Sequence, residues 1–553
     1  MKNRLHEMYN KMIRRKKSLF LAFLVFILVL FITSCEKKSE TEPTKADVIT
    51  TKMTIGFYSA ESYNPLLTKT DYNAQAYSLI YDSLYNLNSD FSPCENIASD
   101  LYIENGGLGA TLQIKPNIYF HDGSELDAYD VAESIKFIIN SGEDNYYKYN
   151  VKNIKEISVE NDYTIRLSFS SLIPNIKNQL TFPIVKKEDL LKSEFPLNGT
   201  GPYKLKNETR GKEIVLTQNK NYFGNFKSTI EDIYIEVVPD KITSRSLSGS
   251  GIVDAFFASF YDEGLKTVTK TESKKMDYPT DEYTFIELNY DNGLMYLKSF
   301  RKALSLALDR EKIKSDIFMS HASETVIPIY PSSWLDTSSY IVKKDIEQAK
   351  KILSDIGYED TDEDGVLDYT KEQIQSDDKV LKGELLEKDE NTRLPSRLSF
   401  SVLAYASPIK QALCDELKKQ LKAVGIELRL NIVSDYEQFL ELYNKKAFDM
   451  CIVTTNVGYD LDLAPFMTLD GEFASPVEMG YNSELIKLSA TGELDLKAQV
   501  YKTLCDKFYD NMPHIPILFL NNTFITNDKF EADSELYINN IYFNILNNDF
   551  FGG

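Results

Sequence analysis

At 553 residues the chain is longer than one hydrophobic core organises, so two or more lobes are expected. Hydrophobic residues make up 43% and aromatics 12%, the composition of a folded globular protein rather than a disordered one. A formal net charge of −21 argues against nucleic acid as a partner and against adhesion to an anionic membrane by charge alone.

The chain begins with seven cations (Lys2, Arg4, Lys11, Arg14, Arg15, Lys16, Lys17) against one acid, Glu7. The stretch Leu19 to Thr33 then carries no charge. A basic region, an apolar region and small residues before a cut are the pattern of an export signal. Its end, Ile32-Thr33-Ser34-Cys35, resembles the lipobox of bacterial lipoproteins. That resemblance implies a leader over 1–34, lipid attachment at Cys35 and a polar tether over 35–50. The protein would then be held at the extracytoplasmic face of the cell membrane. The alternative is an uncleaved membrane anchor, since the apolar run is only slightly shorter than a bilayer span. Cys94, Cys414, Cys451 and Cys505 are scattered with no CxxC pair, and free buried thiols are favoured over a disulfide framework.

From Thr51 onward short strands and amphipathic helices alternate. Lys52 to Tyr58 reads as a strand, and Asp71 to Tyr85 as a helix with apolar residues at Ala76, Leu79, Ile80 and Leu84. A strand is expected over Thr111 to Ile118, and a helix over Ala128 to Ile139 capped by Asp127. Ile157 to Phe169 reads as a hairpin turning at Asn161-Asp162. The second half places strands at Thr284 to Asn289, Leu398 to Leu403, Ile426 to Ile432 and Phe448 to Thr454. Helices are expected over Tyr296 to Leu308, Ile346 to Ile356, Ile409 to Val424 and Asp435 to Tyr443, with Gly357 and Gly425 as stops. Strand–helix–strand units of this kind imply an α/β fold with parallel pairing. Residues 371–397 are charged and weakly periodic, which suggests an exposed insertion.

Five phrases stand out: Ser62-Tyr63-Asn64-Pro65-Leu66-Leu67; Ile118-Tyr119-Phe120-His121-Asp122-Gly123; Asn198-Gly199-Thr200-Gly201-Pro202-Tyr203; Phe300-Arg301-Lys302-Ala303-Leu304; and Met512-Pro513-His514-Ile515-Pro516. Locally they read as scaffold: Gly199 and Gly201 suit a sharp turn at φ > 0, and the Arg301 phrase is an amphipathic helix. In their order, from about residue 51 to 546, they resemble the extracytoplasmic solute-binding proteins of the peptide/nickel ABC-importer family. The resemblance implies a bilobal periplasmic-binding-protein-like fold of two mixed-sheet lobes joined by a hinge. The first lobe would comprise 51–80, 185–288 and 514–553, with 81–184 inserted in it as a subdomain, and 289–513 would form the second.

The implied function is a non-enzymatic receptor, a monomer without cofactor, that captures short peptides between its lobes. It would deliver them to an ABC permease with cytoplasmic ATPases. The rival readings are the same fold around a nickel chelate, a sugar or another metabolite, and a ligand-sensing signalling lipoprotein. No GxSxG, HExxH or P-loop phrase supports catalysis.

Carried over from the family, the ligand contacts are Asp71, Phe257, Ala258 and Ser259 on one side, and Tyr405, Lys410, Tyr436, Thr454, Thr455, Asn456, Tyr459 and Asp460 on the other. Many peptide binders of the family carry Trp and Asp where this chain has Thr455 and Gly458. Asp460, or Asp71 from the facing lobe, would then meet a ligand's ammonium group, and Lys410 its carboxylate. Asp360, Asp362, Asp364 and Asp368 imitate part of a calcium loop. The last position of that loop is Lys371, where a bidentate Glu is required, so a solvated turn is the favoured reading.

Overall fold

The computed structural model describes residues 52–58, 62–258, 273–370, 394–473, 475–476, 480–527 and 537–547. The leader with Cys35, the tether, Ser259 and most of the insertion at 371–397 lie outside the described residues. Two long strands organise the rest: Ser273–Leu288 and Ile515–Asn527, of 16 and 13 residues, run antiparallel. Their first half pairs Ser273–Pro279 with Asn527–Asn521, and their second pairs Tyr283–Ile286 with Phe519–Ile515. Between Pro279 and Tyr283 the register shifts. A bulge of this kind bends a strand and re-aims its side chains.

Each half of the pair carries a lobe. On one side the strand Ala255–Ala258 joins Ile515–Asn527 to Lys52–Tyr58, which runs parallel to Asp232–Val238. The strands Glu213–Gln218 and Tyr203–Thr209 complete that edge. On the other side Ser273–Leu288 pairs with Met450–Asn456, which runs parallel to Ser399–Tyr405 and through it to Glu427–Val433. The result is one mixed sheet of 11 strands, counting Ala322–Glu324 beside Ile515–Asn527. A separate antiparallel sheet orders Ala98–Glu104, Gly109–Ile114, Thr164–Phe169 and Ile154–Asn161. The helix Ala128–Ile139 belongs to this smaller layer, and Asp127 caps it in a box with Asp130.

Most expected elements form, including the strand Lys52–Tyr58, the capped helix at Ala128 and the hairpin at Asn161. Four expectations need correction. The helix from Asp71 stops at Tyr77 rather than Tyr85. Its continuation is captured by tertiary bonds instead, Gly201 N–H donating to Ile80 O at 2.8 Å and Tyr203 N–H to Leu79 O at 3.0 Å. Gly199 and Gly201 are therefore required by close approach, not by positive φ: a Cβ on Gly199 would stand 2.0 Å from Ile80 O. The strand expected at Thr284 begins at Ser273, because Lys274, Lys275 and Asp277 are exposed on both faces of its first half and leave no apolar alternation to read. The strand expected over Thr111 to Ile118 runs from Gly109 to Ile114, and Asn117 beyond it adopts φ 61°.

The arginine phrase gains a structural role. Arg301 is 1% exposed and donates to four backbone carbonyls, those of Met295, Tyr296, Asn511 and Met512. Arg310, also buried, donates to Pro516 O at 2.9 Å and to Ser305. Together the two guanidinium groups clamp the chain entering the long strand at Ile515. His514 in the same turn bonds Tyr283 Oη at 2.8 Å, and burial lowers its pKa to about 3, so it is neutral scaffold. An ammonium presents three donors on a flexible stem and cannot reproduce the Arg301 fork. Arg301→Lys should therefore destabilise the fold by about 3 kcal/mol in urea unfolding, as buried carbonyls lose their donors.

Candidate functional site

The strand Met450–Asn456 runs out of the sheet into a turn, Val457-Gly458-Tyr459-Asp460-Leu461, in which Gly458 has φ 77° and Leu461 φ 54°. Asp281, on the bulge between the two lobes, holds that turn. Its carboxylate accepts from Asn456 Nδ2 at 2.8 Å and from Gly458 N at 3.1 Å, and its carbonyl accepts from Val457 N. Gly458 is required twice over. Its φ favours glycine, and a Cβ would stand 2.8 Å from Asp460 Oδ1 and 2.9 Å from the Tyr149 ring.

Opposite the turn stand Tyr146–Asn150 and the short helix Ile176–Gln179 of the smaller sheet's layer. A cavity of about 300 Å³ lies between, walled also by Ala74, Gln75, Thr181 and Asn539. Side-chain amides sew the two walls together. Gln179 Nε2 donates to Asp460 Oδ2 at 2.7 Å, Asn175 Nδ2 to Asp460 O at 2.7 Å, and Asn178 Nδ2 to Tyr459 O at 2.8 Å. Tyr149 Oη adds bonds of 3.2 and 3.3 Å to the Asp460 carboxylate. Beside them Lys497 donates to Pro174 O and Asn175 Oδ1, and burial lowers its pKa to about 7. Phe91 inserts from the smaller layer against Tyr459 and Tyr330, with ring centroids 5.1 and 5.5 Å apart.

The cavity is acidic. Burial raises the Asp460 pKa to about 6, with Asp462 adding to the rise and the Gln179, Lys152 and Tyr149 groups opposing it. Burial raises Asp281 as well, against the donors of Asn456 and Gly458, and Asp71 contributes to that rise. Asp71 opens the helix Asp71–Tyr77 and acts through space on Tyr146, Tyr278 and Tyr459. Among the described residues no Lys, Arg or His lines the cavity.

Of the residues expected at a ligand, Asn456, Tyr459 and Asp460 stand in this wall. Phe257 does not, and its ring packs against Tyr72, Tyr278, Phe524 and Tyr542 at 4.9–6.1 Å. Ala258 is buried in the sheet opposite Thr523. Tyr405 and Tyr436 form an exposed edge-to-face pair at 5.4 Å. Near them Lys410 donates to Thr454 Oγ1, which meets Thr284 Oγ1 at 2.7 Å, while burial lowers the lysine to about 8. Thr455 faces Tyr283 in the sheet register. These seven lie outside the cavity wall, and so does Asp71, which acts on it only through space. The sequence reading passed over Asp281, Tyr149, Asn178 and Gln179; the run of amides at Asn175, Asn178 and Gln179 is the one signal that would have found the last two.

In the acidic turn the carboxylates of Asp360, Asp362 and Asp364 come within 4.8 Å of one another. Arg397 pairs with Asp362, Asp364 and Asp368, supplying internal positive charge to that turn. Cys94, Cys414, Cys451 and Cys505 are free, and all but Cys94 are buried.

A continuous mixed sheet shared by two halves, with an acidic cavity beside its bulge, is the architecture of a bilobal binding protein. Residues 93–475 match the model of bacterial extracellular solute-binding proteins, family 5, and the chain belongs to that family. It is 24% identical over 549 residues to the oligopeptide-binding protein AppA of Bacillus subtilis, covering 92% of this chain and 94% of that one. The fold matches the structure of Bacillus subtilis AppA in complex with a nonapeptide, with TM-score 0.54 and 20% identity over 90% of this chain and 98% of that one. It also matches NikZ of Campylobacter jejuni in complex with Ni(L-His), with TM-score 0.56 and 18% identity over 87% of this chain and 95% of that one. Members of the family are substrate-binding proteins of ABC importers, not enzymes.

The raised pKa of Asp460 sets a pH test. A folded pKa of about 6 against an ordinary 3.8 means that the folded protein holds this proton more tightly than the unfolded chain. The group therefore costs nothing below pH 3.8, costs progressively more up to about 6, and costs a constant amount above. In ligand-free protein the stability of wild type minus that of Asp460→Asn should fall by about 2 kcal/mol between pH 4 and pH 7, measured by urea unfolding.

Proposed function

We propose that the protein is a lipid-anchored, monomeric receptor that captures short peptides between its lobes and passes them to an ABC permease. The observation that carries this reading is the cavity at Asp281 and Asp460, whose wall is rich in hydrogen-bond acceptors, with Asp460 itself buried. A free peptide amine supplies three N–H donors and a positive charge, which such a wall requires. The likeness to an oligopeptide-binding relative over nearly its whole length supports the same class of ligand. The reading divides the chain into a first lobe of 51–80, 185–288 and 514–553, a subdomain of 81–184, and a second lobe of 289–513. The long strand pair serves as their hinge, and ligand favours the closed form by binding it better than the open one.

A nickel chelate is the second reading, favoured by the likeness to a protein bound to Ni(L-His). No histidine or cysteine lines the cavity among the described residues, so the metal would have to arrive with its own ligands. Native mass spectrometry of protein released from membranes in mild detergent separates the two. Peptides of mixed sequence and similar length are expected in the bound fraction; a single metabolite or a nickel complex overturns the peptide reading.

Anchoring is a separate matter, resting on Cys35 and its basic, apolar leader. Diacylglycerol on the thiol provides the two chains that stable attachment takes. Cys35→Ser should move the protein from the membrane pellet to the soluble fraction; retention in the pellet would favour an uncleaved anchor.

A further inference from the structure

The cavity brings together two carboxylates, and among the described residues no cation lines it. Asp281 and Asp460 flank Gly458 from two sides, Asp281 on its amide and Asp460 beside the position its Cβ would take. Each carboxylate is held by donors of the protein, yet none of those donors is charged. Asp71 and Asp462 add negative potential, and the nearest cation acting on Asp460 is Lys152, stacked over the Tyr149 ring at 3.6 Å.

A second observation points the same way. Asn178 and Gln179 are 4% and 3% exposed, and their amide nitrogens are already committed, Asn178 to two carbonyls and Gln179 to Asp460. That fixes the amide orientation. It leaves Asn178 Oδ1 and Gln179 Oε1 without a hydrogen-bond partner and out of solvent contact, so their dipoles add negative potential behind the wall. Two carboxylates thus share one small cavity whose lining, among the described residues, holds no cation.

We infer that this cavity selects dicationic ligands, namely short peptides whose free N-terminal ammonium is accompanied by a basic side chain, and rejects acidic ones. The inference rests on the peptide reading above and sharpens it to a substrate class. A ligand with two cationic groups brings one positive charge for each carboxylate, whereas a carboxylate side chain would meet like charge beside them. The volume of about 300 Å³ suits a ligand of this kind only if it is short.

Titration calorimetry with Lys-Ala, norleucine-Ala and Glu-Ala tests the inference, since norleucine matches the lysine stem without its charge. Lys-Ala should bind about 10-fold or more tightly than norleucine-Ala, with Glu-Ala weakest, as expected for one desolvated charge pair. In Asp281→Asn the Lys/norleucine ratio should collapse to below about 3-fold, and Asp460→Asn serves as a second probe if the first variant folds poorly. Equal affinity for Lys-Ala and norleucine-Ala in the wild type overturns the selectivity while leaving a peptide receptor. Failure to bind any peptide, here and by mass spectrometry, removes both readings.

Discussion

Everything in this molecule hangs on the pairing of two strands too long for one lobe. Ser273–Leu288 and Ile515–Asn527 are hydrogen-bonded along most of their length, so the sheets on either side form a single structure. The larger of its two register shifts, between Pro279 and Tyr283, is where Asp281 is presented to the cavity. A bulge in an otherwise continuous ladder concentrates deformation at a few residues, the property a hinge requires. The clamp of Arg301 and Arg310 on the turn before Ile515 keeps the second strand in register from its start.

The walls are then drawn together by polar contacts rather than by a greasy interface. Asn175, Asn178 and Gln179 reach across to the backbone and carboxylate of the Tyr459-Asp460 turn, with Phe91 as the main apolar plug. Amide bonds of this kind are individually modest, about 1 kcal/mol each, so closure can be reversible while its geometry stays specific. The electrostatic cost of burying Asp460 is one that positive charge entering the cavity would relieve. On the proposed reading, closure and ligand choice would be coupled through the same few carboxylates.

Legibility in the sequence followed the range of the interactions. The helices at Ala128, Ile346 and Pro408 were readable because caps and stops are local: Asp127, Asp345 and Ser407 cap their own backbones, and Gly357 ends its helix at φ 117°. The helix from Asp71 was overestimated because its end is imposed by Gly201 and Tyr203, more than a hundred residues away. The site divided the same way. Asn456, Tyr459 and Asp460 lie on one short segment and were found through the family pattern. Asp281 and Tyr149 come from distant segments with no shared periodicity, and nothing local marks them.

The sequence alone determined the α/β class and the family, because these depend on periodicity, turn chemistry and ordered phrases along one chain. Only the tertiary structure decided which charges face one another. Asp281 and Asp460 are 179 positions apart, and no rule of local sequence predicts that both will stand at Gly458. Their shared burial is a consequence of the lobes coming together, and so is the acidity of the space between them.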